Sequence, residues 1–336
     1  MHGRSDWKNK EKERKMLLEH VLALTLAYFL DRLLGDPPHW PHPVRWIGKG
    51  IAAMEKRLNR GGIRKFKGAA MLAAVAGMVF AAAWGITALC RLLHPALAVV
   101  AEGVIIFTAI APRNLQEAAL DVYRPLSEGN LPEARSRLSM IVGRDTEHLD
   151  EGEIVRGTVE TVAENISDGV TAPLFWGFVG GAPLALLYRA VNTCDSMVGY
   201  QNERFREFGW ASARLDDFLN WLPSRLTGML ILLGNKPRKM SHKEAWRIWF
   251  RDAKKHPSPN SGWLEAAVAA VLGVRLGGIN YYQGKMSKRA VMGEPLMPLE
   301  KRHILLANGI LVRTTVLFLL ILWIGGIAVE MAGAWL

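Results

Sequence analysis

The sequence predicts an all-α, polytopic helical membrane protein with re-entrant or broken helices and with helical segments on the cytoplasmic side. Three observations carry this. Half of the 336 residues are apolar, and they are gathered in long blocks instead of amphipathic stripes. Lys and Arg number 42 against 31 Asp and Glu, and that excess suits an anionic membrane surface or another polyanion. Strand alternation is nearly absent and no internal repeat is visible, so a single membrane-embedded domain over 1–336 is expected. Only Cys90 and Cys194 occur, which leaves no disulfide framework and no thiolate metal site.

The N-terminal residues 1–15 carry Arg4, Lys8, Lys10, Lys12, Arg14 and Lys15 and form a basic cytoplasmic tail ahead of an apolar stretch from Val21 to Leu30. Asp31-Arg32-Leu33-Leu34-Gly35-Asp36 follows without a small-residue cleavage site, so the stretch is retained as a membrane segment. A second basic cluster at Lys56, Arg57, Arg60, Arg64, Lys65 and Lys67 also favours the cytoplasm. A full crossing between the two clusters would separate them, so this first segment is expected to be re-entrant or interfacial. The proline-rich loop between them contains His39 and His42, but no third ligand has zinc-site spacing.

Residues 69–90 run 22 positions without a charge. At about 1.5 Å per residue that length spans a hydrocarbon core of roughly 30 Å. Block 95–111 is interrupted by Glu102, and block 263–280 carries Glu265 and Arg275; ionisable groups are costly in lipid, so both must face protein, water or a site. Block 170–188 contains Gly180-Gly181-Ala182-Pro183, which predicts a broken helix or hairpin that brings the polar groups before and after it together. Shorter apolar residues lie at 226–234, and 304–334 makes a terminal span. Polar helices are expected at 113–168, a cytoplasmic segment, and at 195–221 and 238–255.

The polar motifs crowd around the block at 170–188. Arg156, Glu160, Glu164 and Asp168 step by four and share one helix face, with Asn165 beside them. Three carboxylates there suit a Mg²⁺ ion with its oxygen ligands, or, equally, a solvated face with Arg–Glu pairing. After the block come Arg189, Asn192 and Asp195, then Asp216, Asn220 and Arg225, residue types that bind phosphate and metal but also cap helices. A stiff loop with His256 and Asn260 precedes the last internal apolar helix. There is no P-loop, no dinucleotide-binding fingerprint and no nucleophile elbow, so any ATP binds by another geometry.

The order of these motifs resembles the CbiB/CobD family of membrane-associated adenosylcobinamide(-phosphate) synthases. The resemblance runs from Asp31 to Gly284 through Gly35-Asp36-Pro37-Pro38, Val142-Gly143-Arg144-Asp145-Thr146, Glu160-Thr161-Val162-Ala163-Glu164-Asn165, Asn192-Thr193 with Asp195-Ser196-Met197, Asp216-Asp217 with Asn220, and His256-Pro257-Ser258-Pro259-Asn260. It implies a multi-pass cytoplasmic-membrane enzyme, with its site facing the cytoplasm, that joins adenosylcobyric acid to (R)-1-aminopropan-2-ol or its O-phosphate with ATP and Mg²⁺. Under that resemblance Glu160, Glu164 and His256 are catalytic, with Glu160 or His256 taking the amine proton. Glu164, Asp168, Asp195 and Asp216 hold the metal. Arg144, Asn165, Arg189, Asn192, Asn220, Arg225 and Asn260 bind the nucleotide. Lipid and other late cobalamin-pathway membrane enzymes are expected partners, and nucleic acid is not. A corrinoid transporter and a non-catalytic membrane regulator are the alternatives.

Overall fold

The computed structural model describes the backbone of residues 3–36, 40 and 42–334, and side chains within 16–332 of these; Pro37, Pro38, His39 and Pro41 of the proline-rich loop lie outside the described residues. In chain order the helices are α1 (Gly3–Leu34), α2 (Pro43–Leu58), α3 (Arg64–Leu93), α4 (Pro95–Phe107), α5 (Pro112–Ser127), α6 (Leu131–Ser139) and α7 (Glu151–Ile166). A π-turn over Ser167–Thr171 leads into α8 (Ala172–Val198), followed by α9 (Trp210–Leu219), α10 (Trp221–Gly234), α11 (His242–Asp252) and α12 (Ser261–Leu272). Two strands, β1 (Arg275–Tyr282) and β2 (Lys285–Gly293), precede the terminal α13 (Arg302–Ala334). Among the described residues four helical stretches are long and apolar enough to cross a membrane: Arg64–Leu93, Pro95–Ser127, Glu151–Val198 and Arg302–Ala332. The predicted class of polytopic helical membrane protein holds, with one two-stranded hairpin added.

The chain divides into two compact units, each discontinuous in sequence: residues 1–111, 172–219 and 318–336 in the first, 112–171 and 220–317 in the second. In the first, α1, α3, α4 and α8 pack on one another, with α2 and α9 against α3 and α8. The first apolar segment is not re-entrant, because α1 continues unbroken to Leu34. Glu102, the charge that interrupts block 95–111, meets His20 Nδ1 at 2.8 Å, and both side chains are buried. That pairing removes the cost of an isolated carboxylate in an apolar helix.

The break expected inside 170–188 falls at Gly180 (φ −151°, ψ 31°) and Gly181 (φ 64°, ψ −160°). Only glycine adopts the second conformation without strain. A Cβ placed on Gly177 would come 3.5 Å from that of Ala185. Eight residues along a straight helix are about 12 Å apart, so the chain folds back on itself here.

In the second unit α7 packs against α5, α6 and α12, and α12 packs against α10 and α11. Block 263–280, expected as one apolar segment, splits into α12 and β1. Gly273 ends the helix in the left-handed conformation (φ 71°, ψ 34°), with its N–H on the Ala269 carbonyl at 2.9 Å. The antiparallel hairpin that follows turns at Gln283 and Gly284, both at positive φ, with a register irregularity between Leu276 and Gly278. Asp252 anchors the hairpin: its side chain is wholly buried, bonds Arg251 and Lys255, and accepts the Gly293 N–H at 2.9 Å.

Candidate active site

The second unit contains a polar cavity of about 150 Å³ lined by Arg144, Glu160, Thr161, Glu164, Asn165, Tyr282 and Arg289, with Ile141, Val142 and Gly143 at its edge. Its floor is α7. The helix starts at a capping box, in which Asp150 accepts the Glu153 N–H at 2.8 Å and Glu153 returns to the Asp150 N–H at 3.1 Å. From that fixed start Arg156, Glu160 and Glu164 follow one another on a single face.

Glu160 is fully engaged. One oxygen accepts from Arg144 Nη2 at 2.8 Å, and the other accepts the Gly277 N–H at 2.8 Å and lies 3.6 Å from Arg156 Nη1. Arg156 also donates to the Gly277 and Ile279 carbonyls at 2.7 and 3.0 Å, and Arg144 Nη1 donates to Asn280 Oδ1 at 2.5 Å. This network ties β1 to α7, so Glu160 and Arg156 are framework. Glu164, one turn further, accepts a single hydrogen bond among the described residues, from Ser261 Oγ at 2.8 Å at the start of α12. Opposite it on β2, Arg289 donates to the Tyr282 hydroxyl at 3.1 Å and has no acidic partner within ion-pair distance among the described residues. Burial works against its charge, but Tyr282 and the carboxylates Glu265, Glu164 and Glu160 hold its pKa above the ordinary arginine value.

Behind this wall sits Glu265 of α12, a helix of 12 residues, too short at about 18 Å to cross a membrane. Glu265 is 1% exposed, and neither carboxyl oxygen has a hydrogen-bond partner. Burial, then the nearby Glu160 and Glu164 charges, push its pKa well up. His256 Nε2 lies 3.5 Å away and also lacks a hydrogen bond. His256 Nδ1 accepts the Ser258 N–H at 3.0 Å, which assigns the ring proton to Nε2. Burial lowers the pKa of His256. Both shifts favour the neutral forms over an ion pair.

The remaining predicted residues divide by unit. Regular stepping along α7 ends at Ile166, and the π-turn carries Asp168 off the Glu160–Glu164 line. Asp168 accepts from Asn220 Nδ2, and Asn220 Oδ1 in turn accepts from Ser167 Oγ at 2.7 Å; neither Asp168 nor Asn220 lines the cavity. Arg225 stacks on Trp221 and Trp263 and donates to the Trp221 carbonyl, the Pro259 carbonyl and Asn260 Oδ1, which pins the loop carrying His256. Arg189, Asn192, Asp195 and Asp216 belong to the first unit. There Asn192 Nδ2 donates to Asp216 Oδ1 at 3.2 Å, Arg189 Nη1 stands 3.5 Å from Asn192 Oδ1, and Asp195 accepts the Gly199 N–H through its backbone carbonyl at 2.7 Å. Sequence reasoning missed Arg289 and Tyr282 because the hairpin itself was missed. Glu265 was picked out as a charge inside an apolar block that must face protein, water or a site, but was not placed among the site residues.

Residues 24–311 match the CobD/Cbib protein family. The chain is 52% identical to the cobalamin biosynthesis protein CobD of Halalkalibacterium halodurans over 312 residues, 93% of this chain and 98% of that protein. It is 51% identical to CobD of Geobacter metallireducens, over 84% of this chain and 90% of that one, and 46% identical to the cobalamin biosynthesis protein CbiB of Salmonella paratyphi B, over 82% and 87%. No solved structure matches. With a family match over most of its length and relatives near half identity, the chain belongs to the CobD/CbiB family of cobalamin biosynthesis proteins.

Proposed function

We propose that this protein is the ligase that joins adenosylcobyric acid to (R)-1-aminopropan-2-ol or its O-phosphate, giving adenosylcobinamide or its phosphate with ATP and Mg²⁺. The observation that carries the reading is the cavity wall, which sets a lightly bonded carboxylate, Glu164, beside a guanidinium without an acidic partner, Arg289. Amide formation needs that pair of functions. The corrinoid carboxylate oxygen attacks the γ-phosphorus of ATP and releases ADP; the amine nitrogen then attacks the acyl carbon and phosphate leaves. Cations must hold the phosphate and a base must take the amine proton.

Arg289 serves the phosphate, with Arg144 held beside it by Glu160. Of the three proton acceptors considered from sequence, Glu160 has both oxygens occupied and Nε2 of His256 already carries a proton; Glu164 is therefore the base. His256 and Glu265 stand behind it, where burial favours the neutral form of each. Among the described residues no three His, Cys, Asp or Glu side chains gather as a metal-binding group. Mg²⁺ suits such a surroundings when it takes one or two carboxylates and completes its shell with phosphate oxygens and water, and Glu164 with Asn165 supplies protein oxygens on the cavity wall. Mg²⁺ would neutralise phosphate charge there. Arg189, Asn192, Asp195 and Asp216 of the first unit, and Asp168, Asn220 and Asn260 of the second, remain proposed contributors to nucleotide and metal binding.

ATP is cytoplasmic, so the cavity is placed on that side. With Cys90 and Cys194 replaced, a cysteine introduced at the exposed Glu147 should resist an impermeant thiol reagent applied outside intact cells and react after permeabilisation. Purified protein in detergent should consume cobyric acid, amine and ATP in equal amounts. The buried His20–Glu102 pair at the α8 break favours transport as the second reading. Uptake of corrinoid into sealed vesicles without ATP hydrolysis or amide product would select it.

A further inference from the structure

A second cavity in the same unit, of about 320 Å³, lies among the end of α10, the end of α12 and one face of α13. Its wall is divided. Val271, Leu272, Leu306 and Ile310 give an apolar side, and Lys236, Arg238 and Arg313 give a cationic rim. No Asp or Glu lines it, and none of the three cations has an acidic partner among the described residues. Three like charges around one space repel one another unless an anion sits between them.

Arg313 is held in place for such an anion. Its Nε donates to Asn235 Oδ1 at 2.7 Å, and Asn235, 4% exposed, anchors its own Nδ2 on the Ile231 carbonyl at 2.9 Å. The Arg238 N–H meets the Val271 carbonyl at 3.0 Å and fixes the turn after α10 against α12. Cations also suit the C-terminal ends of α10 and α12 through the helix dipole. That does not account for Arg313, which comes from within α13, a helix long and apolar enough to cross a membrane. A guanidinium on such a helix is stable where its head reaches phosphate or water while its stem stays among apolar groups.

We infer that this cavity binds the headgroup of an anionic phospholipid, with the phosphate on Lys236, Arg238 and Arg313 and an acyl chain along Leu306 and Ile310. The site is separate from the ligation cavity and its test does not need catalysis. Full-length protein in neutral detergent is stripped of lipid and offered dioleoylphosphatidylglycerol, dioleoylphosphatidylcholine or inorganic phosphate, with bound lipid read by native mass spectrometry and thermal protection measured in parallel. The expected preference for the glycerol lipid over the choline lipid is roughly 100-fold, from three cations each favouring an anionic lipid surface. Lys236→Gln with Arg238→Gln, both at exposed positions, should lower it by roughly ten-fold or more. Adding Arg313→Gln should abolish it. Removing three exposed charges from the hairpin, by Arg275→Gln, Lys285→Gln and Lys288→Gln, should leave it intact. Equal retention of both lipids, undiminished binding in the double variant, or equal protection by inorganic phosphate would overturn the proposal, the last by showing a free-anion site.

Discussion

Glu160 and Glu164 sit one turn apart on α7, and changing each to Gln should produce opposite failures. Glu160→Gln removes a charge that Arg144 contacts at 2.8 Å and Arg156 at 3.6 Å, with all three side chains no more than 9% exposed. Breaking a buried pair from one side costs about 3–5 kcal/mol, because the other charge stays buried. Gln keeps one carbonyl for one donor, and both arginines keep other acceptors around Asn280, so the loss belongs at the lower end, about 3 kcal/mol. Among the described residues Glu164 accepts only the hydrogen bond that the Ser261 hydroxyl donates, and an amide carbonyl would accept that bond as well. Glu164→Gln should therefore change stability by less than about 1 kcal/mol, yet cut ligation by about 10²–10⁴-fold, the range for a lost general base. Thermal unfolding in detergent and product formation with cobyric acid, amine and ATP read the two effects separately. Comparable destabilisation by both variants, or ligation intact in Glu164→Gln, would refute the division of roles.

Three further outcomes follow from the packing. Gly181→Ala should disrupt the α8 break: the new Cβ would lie 2.7 Å from Glu102 Oε1 and from His20 Cε1 at a left-handed φ, for a loss of about 2–5 kcal/mol, and near-normal thermal stability would contradict the hairpin. Burial raises the Asp252 carboxyl, but bonds from Arg251, Lys255 and the Gly293 N–H outweigh it and the folded pKa falls below the ordinary 3.8. Its stabilisation is thus present above that value and lost as pH drops through the folded one; Asp252→Asn should cost about 2–4 kcal/mol at neutral pH, and the gap to wild type should close in acid titrations of unfolding. Glu265 runs the other way: its folded pKa is raised, so its contribution is whole below the ordinary 4.5 and declines as pH rises through the folded value. Glu265→Gln should gain stability relative to wild type with rising pH, and a pH-independent difference between the two would mean that Glu265 is not held neutral.

Much of the membrane scaffold was legible because its signals are local. The uncharged run at 69–90 becomes α3, and Gly180-Gly181 becomes the break in α8. The stepping of Arg156, Glu160 and Glu164 also survives, since it needs only a regular helix. Asp168 departs from it because a π-turn leaves no plain mark in composition. The first strand of the hairpin was hidden in the end of block 263–280, whose periodicity fits helix and strand alike; the second lies beyond that block, and only Gly273 before the hairpin and the Gln283-Gly284 turn within it mark it in the sequence. Arg289 and Tyr282 became visible only when pairing β1 with β2 brought them to the Glu164 wall. The two compact units were unreadable for a related reason: each is assembled from segments far apart in sequence.

The most direct test of the account is a balance of products from purified full-length protein supplied with adenosylcobyric acid, (R)-1-aminopropan-2-ol or its O-phosphate, ATP and Mg²⁺, with [¹⁸O]carboxylate-labelled cobyric acid. Activation of the carboxylate by phosphoryl transfer predicts one adenosylcobinamide product and one ADP per amine consumed, with a single labelled oxygen appearing in the released phosphate. It also predicts that Arg289→Gln slows this exchange while the protein still folds. Amide product without label in phosphate, or ATP hydrolysis uncoupled from amide formation, would contradict it.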